Sequence, residues 1–407
     1  MKILVINSGS SSIKYQLFDM VHHTVLTSGI AEKIGEDEGL LTHEIYQSNE
    51  HTVKSVKTCT ITNHRVGLIR IVDLLLDQAD GVIRDILEIS AVGHRVVHGG
   101  ETLHSPTVID EKVISAIKDN IPLAPLHNPS NLTGIEVAKS IFPHALQVAV
   151  FDTAFHQTIP IKAFLYAIPF DMYEKGRIRK YGFHGTSHAY VAERAAEYMG
   201  RPKGGLNLIT IHLGNGASMA AVKNGECIDT TMGFTPLAGL VMGTRCGDVD
   251  PALPFFLAEN FGMSLQEINT LLNKESGLKG LCGTNDMREV ITKYHQGDSR
   301  AKIALDVYSY RIKKYIGAYF AILGSLDCLV FTAGIGENSA YIRNLCCSGL
   351  GQLGIEIDSE RNSKAGKGVR EISSLSSIAT ILVIPTNEEF KIAEETKKII
   401  ELRRQKK

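Results

Sequence analysis

The side chains that most suggest chemistry lie in a short polar loop near the amino terminus, residues 7–12. The loop reads Asn-Ser-Gly-Ser-Ser-Ser, and Lys14 follows two residues later. A hairpin turn that needs only flexibility is served by Asn-Gly, whereas this loop offers four hydroxyls, an amide and a nearby ammonium group. Together these groups could surround a phosphate with hydrogen-bond donors. Taken alone, the same residues are also explained by a polar surface hairpin.

The segments on either side of the loop predict two strands. Residues 3–6 form an uninterrupted apolar run, which is typical of a buried strand. After the loop, the apolar residues Ile13, Tyr15 and Leu17 alternate with polar ones, as in a second strand. The loop is not a P-loop, because GxxxxGK[ST] occurs nowhere in the chain and a hairpin holds the donors.

The hairpin pattern returns in the middle of the chain. Residues 208–222 read LITIHLGNGASMAAV, again a glycine-bearing loop between two apolar segments. Aligning the two hairpins places Asn7 opposite His212 and Gly9 opposite Gly214. Two hairpins of one design predict a chain built from two similar halves.

Charged residues follow two further strands of the first half. Residues 89–98 predict a strand that carries Arg95 and His98 ahead of two glycines. Residues 147–151 predict a buried strand that delivers Asp152 at its carboxyl end. Ligands of open α/β sheets bind at the carboxyl ends of strands, so these side chains are candidate binding groups.

The second half contains glycine-rich connections that could bind a ligand. They are a loop with Gly182, Gly185, Thr186 and Ser187, a long connection over residues 229–251, and the segment Gly334–Asn338 after a strand at 327–332. Long loops inside compact domains are usually functional or disordered, and the apolar residues of the long connection argue against disorder.

Helix signals separate these strands. We expect helices from Asn63 to about Asp77, from Asp110, from an Asn128-Pro129 cap to Ile141, from a Ser264–Glu267 capping box, from Ser299 to Leu323, and from Asn387 to Arg404. Strands that end in glycine loops thus alternate with helices in each half. The prediction is an α/β fold, duplicated, with a nucleotide held in the cleft between the two copies.

Composition narrows the class of protein. The chain has 407 residues, which fits two domains, and 44% apolar with 21% charged residues describes a globular protein. A net charge of -1 gives no electrostatic reason to expect nucleic acid or an anionic membrane as partner. No signal peptide or transmembrane segment is predicted, and the seven cysteines lack metal-ligand spacing, which indicates reduced thiols.

Nine motifs occur in order along the chain: NSGSSSIK, GHRVVHGG, VFDTAFH, YGFHGTSH, HLGNGAS, GTRCGDVDP, NDMR, AGIGEN and TNEE. Their order and wording resemble the acetate kinase family, the acyl-carboxylate kinases of the broad group that includes actin, sugar kinases and the heat-shock ATPases. The resemblance implies two ribonuclease H-like (actin-like ATPase) domains, at 1–152 plus 386–407 and at 153–385, the second binding nucleotide. It also implies reversible transfer of the ATP γ-phosphoryl group to acetate by in-line displacement, with Mg²⁺ or Mn²⁺, in a cytoplasmic homodimer.

The resemblance also assigns roles to individual residues. Asp152 is the family's acid/base residue, His184 and Arg245 would stabilise the transition state, Arg95 would bind the substrate carboxylate, and Asn7 and Glu388 would be magnesium-side residues. The residues implied to bind ATP or ADP are Lys14, His212, Leu213, Gly214, Asn215, Gly216, Asp286, Met287, Arg288, Gly334, Ile335, Gly336, Glu337 and Asn338.

Charge arguments support the roles implied for the arginines but not the acid/base role implied for Asp152. Carboxylate and phosphate are both anions, and arginine grips either of them bidentately. A carboxylic acid is already ionised at neutral pH, so the nucleophile needs no general base. We therefore expect Asp152 to orient an arginine or a magnesium-bound water.

Three alternatives are open. Propionate kinases share the framework, but Val97 matches the valine of acetate enzymes where propionate enzymes tend to have a smaller residue. A sugar kinase would need a true base at Asp152. A non-catalytic, chaperone-like module is disfavoured because the sequence leaves no segment for a peptide-binding domain.

Overall fold

The computed structural model describes residues 1–47 and 51–405, apart from the side chain of Lys203. Contacts divide the chain into two compact units. The first comprises Met1–Ala154 and Asn387–Lys407, and the second comprises Phe155–Thr386.

The first unit is organised on one mixed sheet. Its strands are β1 (Lys2–Ser8), β2 (Ser12–Asp19), β3 (Thr24–Glu32), β4 (Gly39–Tyr46), β5 (Thr52–Cys59), β6 (Ile89–Val96), β7 (Thr107–Val108) and β8 (Leu146–Phe151). In the described residues their order is β5-β4-β3-β2-β1-β6-β8-β7. The strands β1, β6 and β8 run parallel, so their carboxyl ends meet at one edge.

Helices cover both faces of this sheet. They are α1 (His64–Leu75), α2 (Glu111–Asp119), α3 (Asn128–Ile141) and, from the end of the chain, α15 (Glu388–Gln405). On one face Leu68 and Ile71 of α1 are buried with Leu4 and Ile6 of β1. On the other face Ile392 of α15 is buried in a cluster that includes Ile3 and Val5. The alternate residues of β1 therefore serve two cores, which explains its uninterrupted apolar run.

The second unit has its own mixed sheet. The strands are β9 (Asn207–Leu213), β10 (Ala217–Lys223), β11 (Glu226–Thr230), β12 (Cys328–Thr332), β13 (Arg370–Glu371) and β14 (Thr380–Val383). Their order in the described residues is β11-β10-β9-β12-β14-β13.

Short and long helices surround the second sheet. They are α4 (Ile161–Phe164), α5 (Phe170–Gly176), α6 (Gly185–Tyr198), α7 (Leu253–Phe261), α8 (Leu265–Lys274), α9 (Gly277–Cys282), α10 (Met287–His295), α11 (Ser299–Leu323), α12 (Ala333–Asn338), α13 (Ala340–Cys347) and α14 (Ser359–Ser363). The apolar face of α6, with Val191 and Ala195, is buried with Leu208 of β9 and Leu382 of β14.

The two sheets share one topology, which confirms the predicted duplication. In each, a hairpin strand lies antiparallel beside the first strand, and two parallel strands follow on its other side, giving β3-β2-β1-β6-β8 and β11-β10-β9-β12-β14. The predicted α/β class is confirmed as well.

Several predicted helix signals are confirmed by the caps. The Asn63 side chain accepts from the Val66 N–H, Ser264 and Glu267 form a capping box, and α11 ends at Gly324, whose φ is +81°. A positive φ is accessible to glycine at little cost, so the helix ends there.

Two local predictions were wrong. Asn128 is not the cap of α3: it is the first helical residue, and its side chain bonds to the backbone of His98 instead of to its own helix. Gly185, Thr186 and Ser187 form the first turn of α6 and not a loop. Within the described part of the chain, none of the helices has both the length and the apolar character needed to cross a bilayer.

Candidate functional site

The carboxyl ends of β6 and β8 bring Arg95 and Asp152 together in the first unit. Arg95 pairs in register with Val150, and the N–H of Asp152 donates to the carbonyl of Val96 at 3.0 Å. Both Nε and Nη2 of Arg95 donate to Oδ2 of Asp152, at 3.0 and 2.5 Å. The Asp152 side chain is 2% exposed and that of Arg95 is 23% exposed. This is a largely buried, charge-assisted pair with the arginine on the solvent side.

Carboxylates surround the Arg95 guanidinium. Burial by itself would lower the pKa of Arg95, but the negative charges of Asp152 and Glu388 raise that pKa above its ordinary value. The same burial raises the pKa of Glu388 to about 7, against the opposing effect of Arg95, and the charge of Asp152 adds to the rise. A nearby cation would stabilise the ionised form of this carboxyl group and lower its pKa.

Asn7 lies at the end of β1, beside this pair. Its Oδ1 accepts a long hydrogen bond from Nη1 of Arg95 at 3.4 Å. Lys14 pairs with Asn7 across the β1–β2 hairpin, and its Nζ contacts Glu389 Oε1 at 2.5 Å. The predicted hairpin therefore places an amide and an ammonium group on one face, next to the first turn of α15.

The protein oxygen atoms of this region could hold a divalent ion only together with water and phosphate ligands. Among the described residues there is no group of three or more His, Cys, Asp or Glu side chains placed to hold a metal ion. Mg²⁺ is usually bound by one or two carboxylates, several waters and substrate phosphates. The Asn7 amide oxygen and the Glu388 carboxylate fit that pattern, because they offer hard oxygen donors and leave most positions to water and phosphate.

Two histidines stack at the predicted site of the second unit. The rings of His184 and His212 lie 4.3 Å apart and 19° from parallel. His184 precedes α6 in the left-handed conformation at φ 56°, which is uncommon for a residue with a side chain. Its Nδ1 contacts Ser218 Oγ at 2.9 Å, and His212 Nδ1 contacts Ser187 Oγ at 2.8 Å. Both rings are held by hydroxyl groups that lie within two of the quoted motifs, YGFHGTSH and HLGNGAS, but that had no individual role in the prediction.

Arg245 lies close to the turn of the second hairpin. A Cβ added at Gly216 would lie 3.4 Å from the His184 ring and 3.6 Å from Nη1 of Arg245, so this turn is in van der Waals range of both side chains. Nη1 of Arg245 donates to the carbonyl of Pro236 at 3.3 Å. Burial lowers the pKa of Arg245, and in the part of the chain that the structure describes no Asp or Glu forms an ion pair with it. The Arg245 guanidinium is therefore suited to pair with an anionic ligand.

A cavity in the second unit has a volume of about 870 Å³. Eight residues predicted to bind nucleotide line it: Gly214, Asn215, Asp286, Met287, Arg288, Gly334, Ile335 and Asn338. Three lining residues were missed by the sequence reasoning, namely Asn285, Ile291 and Ser339. Asn285 is the first residue of NDMR and Ser339 directly follows AGIGEN, while Ile291 lies one helical turn beyond Met287 on α10, where the helical period could have identified it.

Five other predicted nucleotide residues of the second unit do not line the cavity. His212 and Leu213 are buried in β9, while Gly216, Gly336 and Glu337 belong to the adjoining turn and helix. Lys14 belongs to the first unit.

Hydrogen bonds fix the walls of the cavity. Arg288 donates from Nε and Nη2 to the two oxygens of Asp286, at 3.0 and 2.6 Å, and these bonds lower the pKa of Asp286 to about 2. Asn285 Nδ2 donates to Oδ1 of Asn215 at 3.1 Å, which joins this wall to the turn of the second hairpin.

A buried arginine holds the opposite wall. Arg343 is 2% exposed, and its Nη1 donates to the carbonyls of Gly336 and Glu337, both at 2.9 Å. Its Nε and Nη2 donate to Asn362, at 2.7 and 2.8 Å. Burial, together with the nearby charge of Arg370, lowers the pKa of Arg343 to about 10. A cation is thus held by carbonyl and amide oxygens behind α12, a role that no motif had indicated.

Comparison with known proteins identifies the family of this chain. The model of the acetokinase family matches residues 2–394. An acetate kinase of Nitratidesulfovibrio vulgaris is 54% identical over 396 residues, covering 97% of this chain and 98% of that protein. Among solved structures, an acetate kinase of Porphyromonas gingivalis has a TM-score of 0.93 and 44% identity, covering 98% of this chain and 99% of that one. A propionate kinase of Francisella tularensis has a TM-score of 0.89 and 44% identity, covering 97% and 98%. With its duplicated, actin-like α/β architecture, this chain belongs to the acetokinase family.

Proposed function

We propose that this protein is an acetate kinase: it transfers the γ-phosphoryl group of ATP to acetate, reversibly, and forms acetyl phosphate and ADP. The observation that carries the proposal is similarity to acetate kinases over nearly the whole chain, at 54% identity to one of them. The site residues that support it are Arg95 and Asp152, at the carboxyl ends of β6 and β8, together with His184 and Arg245 of the second unit.

The cavity of the second unit is the proposed nucleotide site. Its volume suits a ligand of nucleotide size, and its wall combines apolar side chains with amides and glycine backbone. Ile291, Ile335 and Met287 would contact the base, and the turn at Gly214 would face phosphate. We propose these contacts from residue type and position in the cavity wall.

The proposed step is a direct displacement. A carboxylate oxygen of acetate attacks the γ-phosphorus, the bond from that phosphorus to the bridging oxygen breaks, and ADP leaves with the electron pair. Acetate is already ionised at neutral pH, so no proton is transferred in the forward step. The protein contributes position and charge.

Positive groups must offset the repulsion between the two anions, acetate and the γ-phosphate, as they approach each other. Two like charges ~4 Å apart repel by roughly 4 kcal/mol at an effective dielectric of about 20. Arg95 would grip the acetate carboxylate, while Arg245 and His184 would stabilise charge on the phosphoryl group in flight. A positioned arginine contributes ~10³–10⁵ in rate to phosphoryl transfer.

Asp152 would act on Arg95 and not on the substrate. Its Oδ2 accepts both donors of Arg95, which supports a role in aiming the guanidinium. Asn7 and Glu388 would hold Mg²⁺, or Mn²⁺, which when bound neutralises phosphate charge. Lys14, held by Glu389, would bind phosphate beside them.

A hydroxamate assay tests the proposal. With ATP, Mg²⁺ and acetate the protein is expected to form acetyl hydroxamate, and glucose or peptide in place of acetate is expected to give no ADP above background. Propionate should be used less efficiently than acetate, since one methylene in an apolar pocket is worth ~1–3 kcal/mol. No hydroxamate from acetate would refute the assignment, and a higher kcat/KM for propionate would replace it with a propionate kinase.

We also propose a cytoplasmic homodimer. Exposed aromatic side chains on α7, with Phe255 69% and Phe261 68% exposed, support an interface with a second copy. Sedimentation analysis should give twice the chain mass, and a monomer at micromolar concentration would contradict the proposal.

A further inference from the structure

We propose that Asn131 is a positioning residue that fixes the distance between the phosphate hairpin and the acetate-binding end of β6. The inference rests on the proposed function, because it assigns Asn7 to the metal side and Arg95 with Val97 to acetate. It adds a residue that makes no contact of its own with substrate and acts through backbone groups on both sides.

One side-chain amide joins the two segments. Asn131 lies on α3 and is 4% exposed. Its Nδ2 donates to the carbonyl of Ser8 at 2.8 Å, and its Oδ1 accepts from the N–H of Val97 at 3.0 Å. Ser8 follows Asn7 directly, and Val97 lies two residues beyond Arg95.

The Asn131 amide forms hydrogen bonds to both segments just beyond the last residue pair of the β1–β6 ladder. The parallel ladder of β1 and β6 runs from Lys2 opposite Ile89 to Ile6 opposite His94. Beyond that pair, the Asn131 amide supplies a donor to one segment and an acceptor to the other, as a peptide group of a third strand would. Without it, the carbonyl of Ser8 and the N–H of Val97 would be buried without these partners, which destabilises the positions of both segments.

The chemistry of the two partners fixes the orientation of the amide. A carbonyl can only accept and an N–H can only donate, so reversing the amide would lose both bonds. Aspartate would keep the acceptor for Val97 but present a carboxylate to the Ser8 carbonyl. Leucine has a similar volume and keeps neither bond.

The same face of α3 makes two further contacts with these segments. One turn earlier, Asn128 donates to the carbonyl of His98 at 3.0 Å and accepts from its N–H at 3.2 Å. One turn later, a Cβ added at Gly134 would lie 2.6 Å from Cβ of Ser8. This face of the helix is therefore fitted to the two loops, and Asn131 is the residue that bonds to both.

Kinetics of full-length variants test the proposal. In Asn131→Asp and Asn131→Leu, KM for acetate is expected to rise by ~10-fold or more, since buried backbone groups lose a partner, while KM for ATP changes less than about twofold. Gly134→Ala displaces Ser8 from another direction and should give the same split. Thr133→Ala, on the exposed side of the same helix, is the matched control and should behave like the unsubstituted protein.

A measurement that needs no activity separates this inference from the proposed function. Hydrogen exchange of Asn131→Leu should speed up in peptides covering residues 7–14 and 95–103, with peptides around 333–345 unchanged. Faster exchange there, with the KM split, supports the positioning role. Unchanged exchange and unchanged KM for acetate in the folded Asn131 variants would overturn it, and equal loss for both substrates would reduce Asn131 to a stability role. Failure of the unsubstituted protein to phosphorylate acetate would refute the proposed function alone, leaving the exchange result to decide the inference.

Discussion

Arg95 donates two hydrogen bonds to a single carboxylate oxygen of Asp152, from Nε at 3.0 Å and from Nη2 at 2.5 Å. Because β6 carries Arg95 and its parallel neighbour β8 ends directly before Asp152, the contact is set by the sheet and not by a mobile loop. Nη1 of Arg95 is directed elsewhere, toward Asn7. The carboxylate thus fixes the plane of the guanidinium while leaving donors for a substrate.

This geometry predicts a lower rate without a change in pH dependence when Asp152 is replaced. In Asp152→Asn, kcat/KM for acetate should fall by ~10²-fold or more, since truncating one partner of a buried charge pair costs roughly 2–5 kcal/mol. The shape of the pH-rate profile should stay as it is. Loss of one ionising limb from the profile would show that Asp152 is a general base after all.

The size of the proposed acetate pocket is testable at Val97, a residue that is 5% exposed. Val97→Ala should raise the ratio of kcat/KM for propionate to that for acetate by ~10-fold, because room for one methylene is worth ~1–3 kcal/mol. Parallel assays with both acids give the ratio directly. An unaltered ratio would place the acyl group away from Val97.

Arg343 is expected to affect nucleotide binding and not acetate binding. Arg343→Met removes the donors that hold the carbonyls of Gly336 and Glu337 behind the cavity wall. KM for ATP should rise by ~10-fold or more, since hydrogen bonds from a charged group are worth ~1.5–3 kcal/mol. Arg343→Lys keeps the charge and should recover part of the loss. If KM for acetate rose instead, the assignment of this wall to nucleotide would be wrong.

The burial of His94 predicts that the protein loses folding stability in acid. Its ring is 2% exposed and contacts Gln147 Oε1 at 2.7 Å, and burial lowers its pKa to about 4. A group whose pKa is lower in the folded state gives stability above its unfolded pKa, near 6.5, and that stability is lost as the pH falls through 4. The loss amounts to about 3 kcal/mol.

Urea unfolding checks this expectation. Between about pH 7 and about pH 4.5, His94→Gln should lose less unfolding free energy than the unsubstituted protein does. His144→Gln, at an exposed position, is the control and should follow the unsubstituted protein. Parallel slopes for all three would rule out His94 as the titrating group.

The sequence was most informative where local chemistry decides structure. Asn63 and the Ser264–Glu267 pair formed their caps, and Gly324 ended α11, because each effect depends on residues within one turn. The two hairpins were recognisable because an apolar run, a glycine loop and a second apolar run depend only on neighbours along the chain.

Tertiary contacts account for what was missed. Asn128 has the residue type of a helix cap, yet its amide bonds to His98, thirty residues away in sequence. Asn131 and Arg343 gave no local signal, since their partners come from distant segments. A single sequence shows the type of a buried polar side chain but not the backbone group that it satisfies.

Five strands of each sheet share one order, and this equivalence determines how such a chain can be altered. Asn7 and His212 occupy equivalent places in the two hairpins, yet one offers an amide and the other an imidazole. The backbone course at both places is dictated by the ladders beneath, so exchanging the side chain changes the chemistry on offer without redirecting the main chain. The group that one hairpin presents can accordingly be changed without altering the fold of the other hairpin.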